Sequence, residues 1–383
     1  VFVPLLACGR LGFRDLPNPL GSADGGAGGD AVSIPIGDGG GRATTFPAGS
    51  GPYGIAIADF DGDGKRDVAV VLTGASQVGV MLGDGQGGLG TIATYGIGMS
   101  PEWMAVGDLD KDGHPDLVVA NYGGSNISVL LNTGTGTFGT AAPYATGAQP
   151  WGVAVADFDG DGNLDIAVAE NANNQIGVMR GNGAGSFANP NRHNTDMSPE
   201  GLTAADVNGD GKPDLLVTSF GVDAADVLLN TGNSFANFVS YPANSRPRAI
   251  AVADFNHDGH LDLAISDGGG GSPGAATVYF GSTSGALSGE LNTLLGERGE
   301  GIATGDFDGD GNADFVVASY GGTTTVSLAF GDGAGGFSAA VRLPVGDTPV
   351  AVATGDLNGD GIDDVAVANL NSADVTVLLG PLR

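Results

Sequence analysis

The pattern D-x-[DN]-x-D-G-x-x-D occurs seven times in this chain of 383 residues, beginning at Asp59, Asp108, Asp157, Asp206, Asp254, Asp306 and Asp356. Successive copies are 49, 49, 49, 48, 52 and 50 residues apart. A period held so closely implies repeated supersecondary units, a propeller or an array, because separate domains have no reason to share one length. The repeats occupy nearly all of the chain after residue 40.

Within each repeat the residues read as four short strands. Pro52, Pro101, Pro150, Pro199, Pro247, Gly299 and Pro349 stand seven residues before the first aspartate. A strand of alternating large and small apolar residues follows, as in Val153-Ala154-Val155-Ala156. Small residues on one face suit the crowded innermost strand of a propeller blade. After the acidic loop come a β-branched second strand (Ile166-Ala167-Val168), a third at 176–179, a glycine-rich turn ending in an aromatic ("GAGSF", 183–187) and a fourth. No segment has helical periodicity. The 71 glycines fit so many turns, while charged residues make up only 15% of the chain.

The two chain ends predict a closed ring. After the seventh acidic loop only two more strands follow, around 365–368 and 375–379. The missing fourth strand stands near the N-terminus, where "FPAGSGPYGIAIADF" (46–60) matches "YATGAQPWGVAVADF" (144–158) position for position. Residues 42–49 are therefore expected to complete the last blade and latch the ring, which removes open sheet edges. The fold read from these features is all-β: a seven-bladed β-propeller of four-stranded blades. Residues 31–37, "AVSIPIG", read as one further strand, hairpinned through the glycines at 39–41 onto the latch. The domain reading is an apolar segment and Gly/Pro-rich tether over 1–30, followed by the propeller over 31–383.

The acidic loops set the chemistry. The net charge is -30, with 14 basic residues and no basic cluster, so nucleic acid and anionic membranes are poor partners and a cation is a good one. In each loop, oxygens at positions 1, 3 and 5 converge when the chain turns sharply at position 6, which is glycine in all seven (Gly64, Gly113, Gly162, Gly211, Gly259, Gly311 and Gly361). Position 7 offers a backbone carbonyl and the aspartate at position 9 closes the shell. This is the oxygen-rich coordination calcium prefers, written like the first part of an EF-hand loop without its helices. Bound divalent ions would relieve the repulsion among carboxylates packed this tightly.

The candidate side-chain ligands are Asp59, Asp61, Asp63 and Asp67 in the first loop, and Asp108, Asp110, Asp112 and Asp116 in the second. The third supplies Asp157, Asp159, Asp161 and Asp165; the fourth Asp206, Asn208, Asp210 and Asp214. Asp254, Asn256, Asp258 and Asp262 form the fifth set, and Asp306, Asp308, Asp310 and Asp314 the sixth. Asp356, Asn358, Asp360 and Asp364 form the seventh. The carbonyl ligands would come from Lys65, His114, Asn163, Lys212, His260, Asn312 and Ile362. Up to seven calcium ions are thus expected, chiefly as structural staples; His114, His257 and His260 read as solvated loop residues.

The loop, with its hydrophobic strand after the last aspartate, resembles the FG-GAP/VCBS repeat family over about residues 42–380. The family's seven-bladed propellers include the integrin α-subunit head and calcium-bearing fungal lectins. The resemblance implies calcium in the loop joining the first two strands of each blade, on the face opposite the usual ligand-binding face. Asn208, Asn256 and Asn358 at position 3 lower the local charge.

On that opposite face, Tyr53, Glu102, Trp151, Glu200, Arg248, Glu300 and Val350 stand six positions before each first aspartate. The loops after the second strand add Tyr122, Glu170, Asn173 and other amides. Amide, carboxylate and aromatic groups on rigid loops make a surface for a glycan or protein ligand. Trp103 and Trp151 lie one position out of register, so they are expected to face different ways. The functional reading is an exported, extracellular or cell-surface calcium-binding propeller that acts as a binding or adhesion module. Two alternatives remain open. One is a structural subunit of a homo-oligomer or filament joined through residues 1–7; the other, prompted by related propellers in polysaccharide lyases, is a polysaccharide-degrading enzyme. No Ser/His/Asp spacing, P-loop or HExxH motif supports catalysis. No apolar run is long enough for a membrane span. The single Cys8 leaves no partner for a disulfide within the chain, and "LLAC" before it resembles a lipoprotein cleavage box, a lipid anchor that is not the favoured reading.

Overall fold

The structure, a computed structural model, describes residues 32–36, 41–232, 234–269 and 274–383. The expected tether over 1–30, the Cys8 anchor and the docking segment at residues 1–7 lie outside the described residues.

Each repeat folds as an antiparallel meander of four strands, and seven such sheets form the ring. In the third blade the strands are Pro150–Ala156, Asp165–Glu170, Gln175–Met179 and Asn191–Asn194. Inner strands touch one another in sequence, and that of the seventh blade, Pro349–Gly355, touches that of the first, Pro52–Ala58. The only helical pieces among the described residues are two 3₁₀ turns, Thr73–Ala75 and Asn171–Asn173.

Crowding at the axis explains the small residues of the inner strands. A Cβ on Gly152 would lie 2.3 Å from the carbonyl oxygen of Glu200, and one on Gly201 would lie 2.4 Å from that of Arg248. Neighbouring backbones approach too closely there for any side chain. The second strands are buried along their length, as in Asp165–Glu170 and Asp214–Ser219. Burial on both faces is why they read as continuous β-branched runs instead of alternating ones. The fourth strands lie at the blade edges, are mostly exposed and are only about four residues long in most blades, which keeps the outer edges short.

The core lies between blades. One cluster joins Phe60, Val71 and Val78 of the first blade to Leu117, Val119 and Phe138 of the second, and six others repeat the arrangement. Phe60, Leu109, Phe158, Val207, Phe255, Phe307 and Leu357, at position 2 of each acidic loop, are all buried in these clusters. Phe60 meets Phe138 edge-on with centroids 5.6 Å apart, and Phe158 meets Phe235 at 5.7 Å. Every acidic loop is therefore anchored to the core by its second residue.

The ring closes as the sequence predicts. Gly41–Pro47 pairs with Asp374–Leu379, from Arg42 opposite Leu379 to Pro47 opposite Asp374, and so supplies the fourth strand of the seventh blade. The ladder ends at Pro47, beyond which the amides of Ala48 and Gly49 both donate to the Ala373 carbonyl. A fifth strand, Val32–Ile36, pairs outside the latch, with Val32 opposite Thr45 and Ile36 opposite Gly41. The connection over 37–40 lies outside the described residues.

Candidate metal centres and the opposite face

One scheme of hydrogen bonds builds all seven acidic loops. The position-1 carboxylate accepts the amide of the position-6 glycine, at 2.9 Å in the first loop and 2.7–3.0 Å in the others. That glycine has φ near +84° in the first loop, a left-handed conformation that other residues rarely adopt. Position 3 accepts the amide of position 5, and an asparagine does so as well as an aspartate: Asn208 takes Asp210 N at 2.9 Å, Asp61 takes Asp63 N at 3.1 Å. Position 5 in turn accepts the amide of position 7, as Asp63 does from Lys65 and Asp112 from His114, each at 2.9 Å. Asn163, Lys212, His260, Asn312 and Ile362 donate in the same way.

Position 9 differs from the rest. Asp67, Asp116, Asp165, Asp214, Asp262, Asp314 and Asp364 are buried, and both oxygens of each accept backbone amides. Oδ2 takes the amide of position 2, at 2.7 Å from Phe60 and 2.8–3.1 Å elsewhere. Oδ1 takes the amide just after the third strand and its next residue, at 2.7–2.8 Å: Gly83, Asn132, Gly181, Asn230, Gly281, Gly331 and Gly380. The position-9 carboxylate thus ties the acidic loop, the second strand and the third strand together. This clamp was not anticipated from the sequence, which suggests only a metal ligand there.

Ligand atoms of positions 1, 3 and 9 come together. In the sets Asp59–Asp61–Asp67, Asp108–Asp110–Asp116, Asp157–Asp159–Asp165 and Asp306–Asp308–Asp314, one oxygen from each residue lies within 4.8 Å of the others. These are the four loops with aspartate at position 3; the other three have Asn208, Asn256 and Asn358 there. Oxygen ligands of calcium sit roughly 2.3–2.6 Å from the ion, so two ligands of one ion lie at most about 5 Å apart. An all-oxygen set at this spacing fits a hard divalent cation. Each carboxylate oxygen has a second lone pair, so the clamp at position 9 leaves an acceptor for the ion. The position-5 residues Asp63, Asp112, Asp161, Asp210, Asp258, Asp310 and Asp360 are not part of these sets.

Burial raises the position-9 carboxylates, against the backbone amides that lower them. Asp116 and Asp214 are pushed up to about 6, Asp314 and Asp364 up to about 7. The direction is the same for Asp67, Asp165 and Asp262.

On the opposite face, the predicted ring residues meet across the axis. Tyr53 of the first blade donates its hydroxyl to Glu300 Oε1 of the sixth at 2.9 Å. Arg248 of the fifth donates Nη1 to Glu200 Oε2 at 2.8 Å, and its Nε lies 3.6 Å from Glu300 Oε2. The guanidinium also lies 4.4 Å from the Phe220 ring centroid and 5.7 Å from that of Trp151. Two glutamates thus face one arginine. Burial raises Glu102 to about 8 and Glu200 to about 7, with Arg248 opposing both shifts, and raises Glu300 as well. Val350 is buried in the core cluster against which Tyr53 packs. Beneath the ring lies an axial cavity of about 100 Å³ lined by Trp103, Met104, Val153 and Ile250. Trp103 lines that cavity, whereas Trp151 stands edge-on to Tyr122 at 5.3 Å, so the two tryptophans form no pair.

Several predicted rim amides pin loops instead of standing free. Asn173 Oδ1 accepts the Ala148 amide at 2.7 Å, and Asn171 Nδ2 donates to the Pro199 carbonyl. Buried Glu170 accepts Gly147 N and Arg192 Nε, each at 2.7 Å. Tyr122 and Trp151 stay partly exposed.

The ring and its loops define a class, the FG-GAP-like repeat propellers. FG-GAP-like repeat models match residues 59–119, 108–168, 157–217 and 306–367, and an FG-GAP repeat model matches 247–279. The matches span more than half of the chain, and it belongs to this family. No curated protein matches it in sequence. Among solved structures, the BP39L lectin from Burkholderia pseudomallei superposes with a TM-score of 0.69 at 16% identity, over 87% of this chain and 97% of the lectin. Hydrazine synthase from Kuenenia stuttgartiensis gives 0.64 at 16% identity, over 88% and 97%. BBS1N, solved in complex with ARL6DN, gives 0.60 at 14% identity, over 88% and 95%. At these identities the shared property is the fold.

Two predictions follow from the loops. Asp116→Ala strands two buried amides, each worth about 1–3 kcal/mol, so it is expected to destabilise by roughly 2–6 kcal/mol with or without divalent cations. Asp112→Ala, at an exposed position 5, is expected to cost much less when metal is absent. Denaturant unfolding in chelator and in metal checks both; equal effects of the two variants in chelator would contradict the clamp. The second concerns pH. Without metal, the raised carboxylates hold protons between about pH 4 and 7 that the unfolded chain has already released, so stability falls as pH rises through that window. The melting temperature in excess chelator is expected to be higher at about pH 5 than at about pH 7.5. A chelated protein that gains stability over the same rise would contradict the assignment.

Proposed function

We propose that the chain is an exported calcium-binding propeller whose opposite face binds a glycan or protein ligand. The carrying observation is the convergence of three carboxylates in each of four loops, at calcium-like spacing, within a scaffold that repeats seven times. In this reading positions 1, 3 and 5, the position-7 carbonyl and the position-9 carboxylate hold each ion. Calcium's charge offsets the repulsion that a net charge of -30 imposes. A site of about 0.1 mM affinity stabilises the fold by about 1.5 kcal/mol at millimolar calcium. Affinities of that order suit an extracellular setting. Residues 1–30 are read as a separate leading segment.

Support for a binding role comes from the rigid ring of Tyr53, Glu102, Trp151, Glu200, Arg248 and Glu300 with Tyr122 at its edge, and from the lectin of the same fold. Glu200 and Glu300 are engaged by Arg248 and Tyr53, which favours a fixed recognition surface over a pair of working acid and base groups. Trp151 is the preferred probe, because Asn173 also holds the loop at Ala148. A glycan array and a panel of immobilised cell-surface proteins, probed in calcium, are expected to retain the protein and to lose it on Trp151→Ala, with the variant still folded and melting cooperatively. Equal retention of the variant would contradict the assigned face, and release of sugar products from a polysaccharide would point to catalysis instead.

A further inference from the structure

The seven acidic loops share one backbone scheme but differ in their surroundings. The residue before the amide that caps position-9 Oδ1 is apolar in six blades: Leu82, Leu131, Leu229, Phe280, Phe330 and Leu379. In the third blade it is Arg180. These side chains stand over their own acidic loop and the next blade's turn; a Cβ on Gly136 would lie 2.7 Å from Leu82 and 3.3 Å from Asp61. A cation placed there faces the acidic cluster directly.

Arg180 does face it. Its Nη1 lies 2.6 Å from Asp165 Oδ2 and its Nε lies 3.5 Å from Asp159 Oδ2, so one guanidinium bridges positions 9 and 3 of the third loop. These are two of the three carboxylates that converge in that loop. Asp165 is buried and Arg180 is 28% exposed, so the contact is partly shielded from solvent. Lys111, from the second loop, adds positive charge nearby: its amine would lie 3.8 Å from a Cβ on Gly162. Arg383 also reaches two carboxylates, in the sixth loop, 2.7 Å from Asp308 Oδ2 and 3.6 Å from Asp310 Oδ2, but it is 60% exposed and among the described residues no ion pair reaches the buried Asp314.

We infer that Arg180 is a resident counter-cation of the third acidic loop, holding Asp159 and Asp165 in place of calcium and making this the weakest of the metal sites. The inference rests on the calcium reading of the loops given above. A guanidinium and a divalent ion compete for the same oxygens and repel one another at this range. The third blade is then stapled without metal, while its neighbours depend on the ion.

The test uses the full chain and calcium alone. Arg180→Leu installs the residue found in four other blades, so the fold is expected to persist, and Arg180→Lys keeps the charge. At a free calcium that partly fills the wild type, equilibrium dialysis is expected to find about one more ion per chain in Arg180→Leu, its third site tightened about tenfold or more. Arg180→Lys is expected to match the wild type. In chelator Arg180→Leu is expected to melt below the wild type, and in saturating calcium to melt with it. Equal calcium counts in all three proteins, or the same melting loss with and without calcium, would overturn the inference while leaving calcium binding intact. If neither the wild type nor Arg180→Leu takes up calcium, the calcium reading fails and this inference fails with it.

Discussion

A single buried interaction organises every repeat: the position-9 aspartate accepting two backbone amides. One amide belongs to position 2 of the acidic loop, the other to the residue that leaves the third strand. A charge-assisted hydrogen bond in a dry environment is strong, and a buried amide left without a partner is costly. The same carboxylate therefore sets the distance between the loop and two strands, seven times over. Position 2 completes the arrangement by burying Phe60 or its counterpart between blades.

The clamp divides each loop into two layers held by different interactions. The inner layer, positions 2 and 9, is held by the core and the backbone. The outer layer, positions 1, 3 and 5, is held by short turns within the loop, reached from outside by Arg180 in the third and Arg383 in the sixth, and its carboxylates repel one another. A divalent ion held there would join the two, because position 9 contributes to the cluster with positions 1 and 3. Blades differ in how the outer charge is managed: an asparagine at position 3 in the fourth, fifth and seventh, and Arg180 in the third. At the other end of the ring Arg248 plays a related part, holding Glu200 while lying near Glu300 and the aromatic rings of Phe220 and Trp151.

Fold and loop positions were legible in the sequence because both depend on local, periodic signals. The fixed phase of seven D-x-[DN]-x-D-G-x-x-D motifs gave the blade count, and the match between residues 46–60 and 144–158 located the latch. Long-range partners were not legible. Asp67 is separated from Gly83 by 16 residues and Tyr53 from Glu300 by 247, and neither separation leaves a pattern in one sequence. Asn173 reads as a free recognition group, yet it accepts a backbone amide of a neighbouring loop, a role that depends on how the loops pack. A signal for Arg180 was present: aligned repeats place one arginine in a column of leucine and phenylalanine.

The two-layer account is tested most directly by amide hydrogen exchange, resolved by residue, in calcium and in chelator. The position-2 amides of Phe60, Leu109 and Phe158 are expected to stay protected in chelator, since the clamp does not need metal. Over the same change the position-6 amides of Gly64 and Gly113 lose protection, while that of Gly162, in the loop that Arg180 bridges, changes least. Loss of protection at both positions together would show that the ion holds the loop as one unit and would contradict the account.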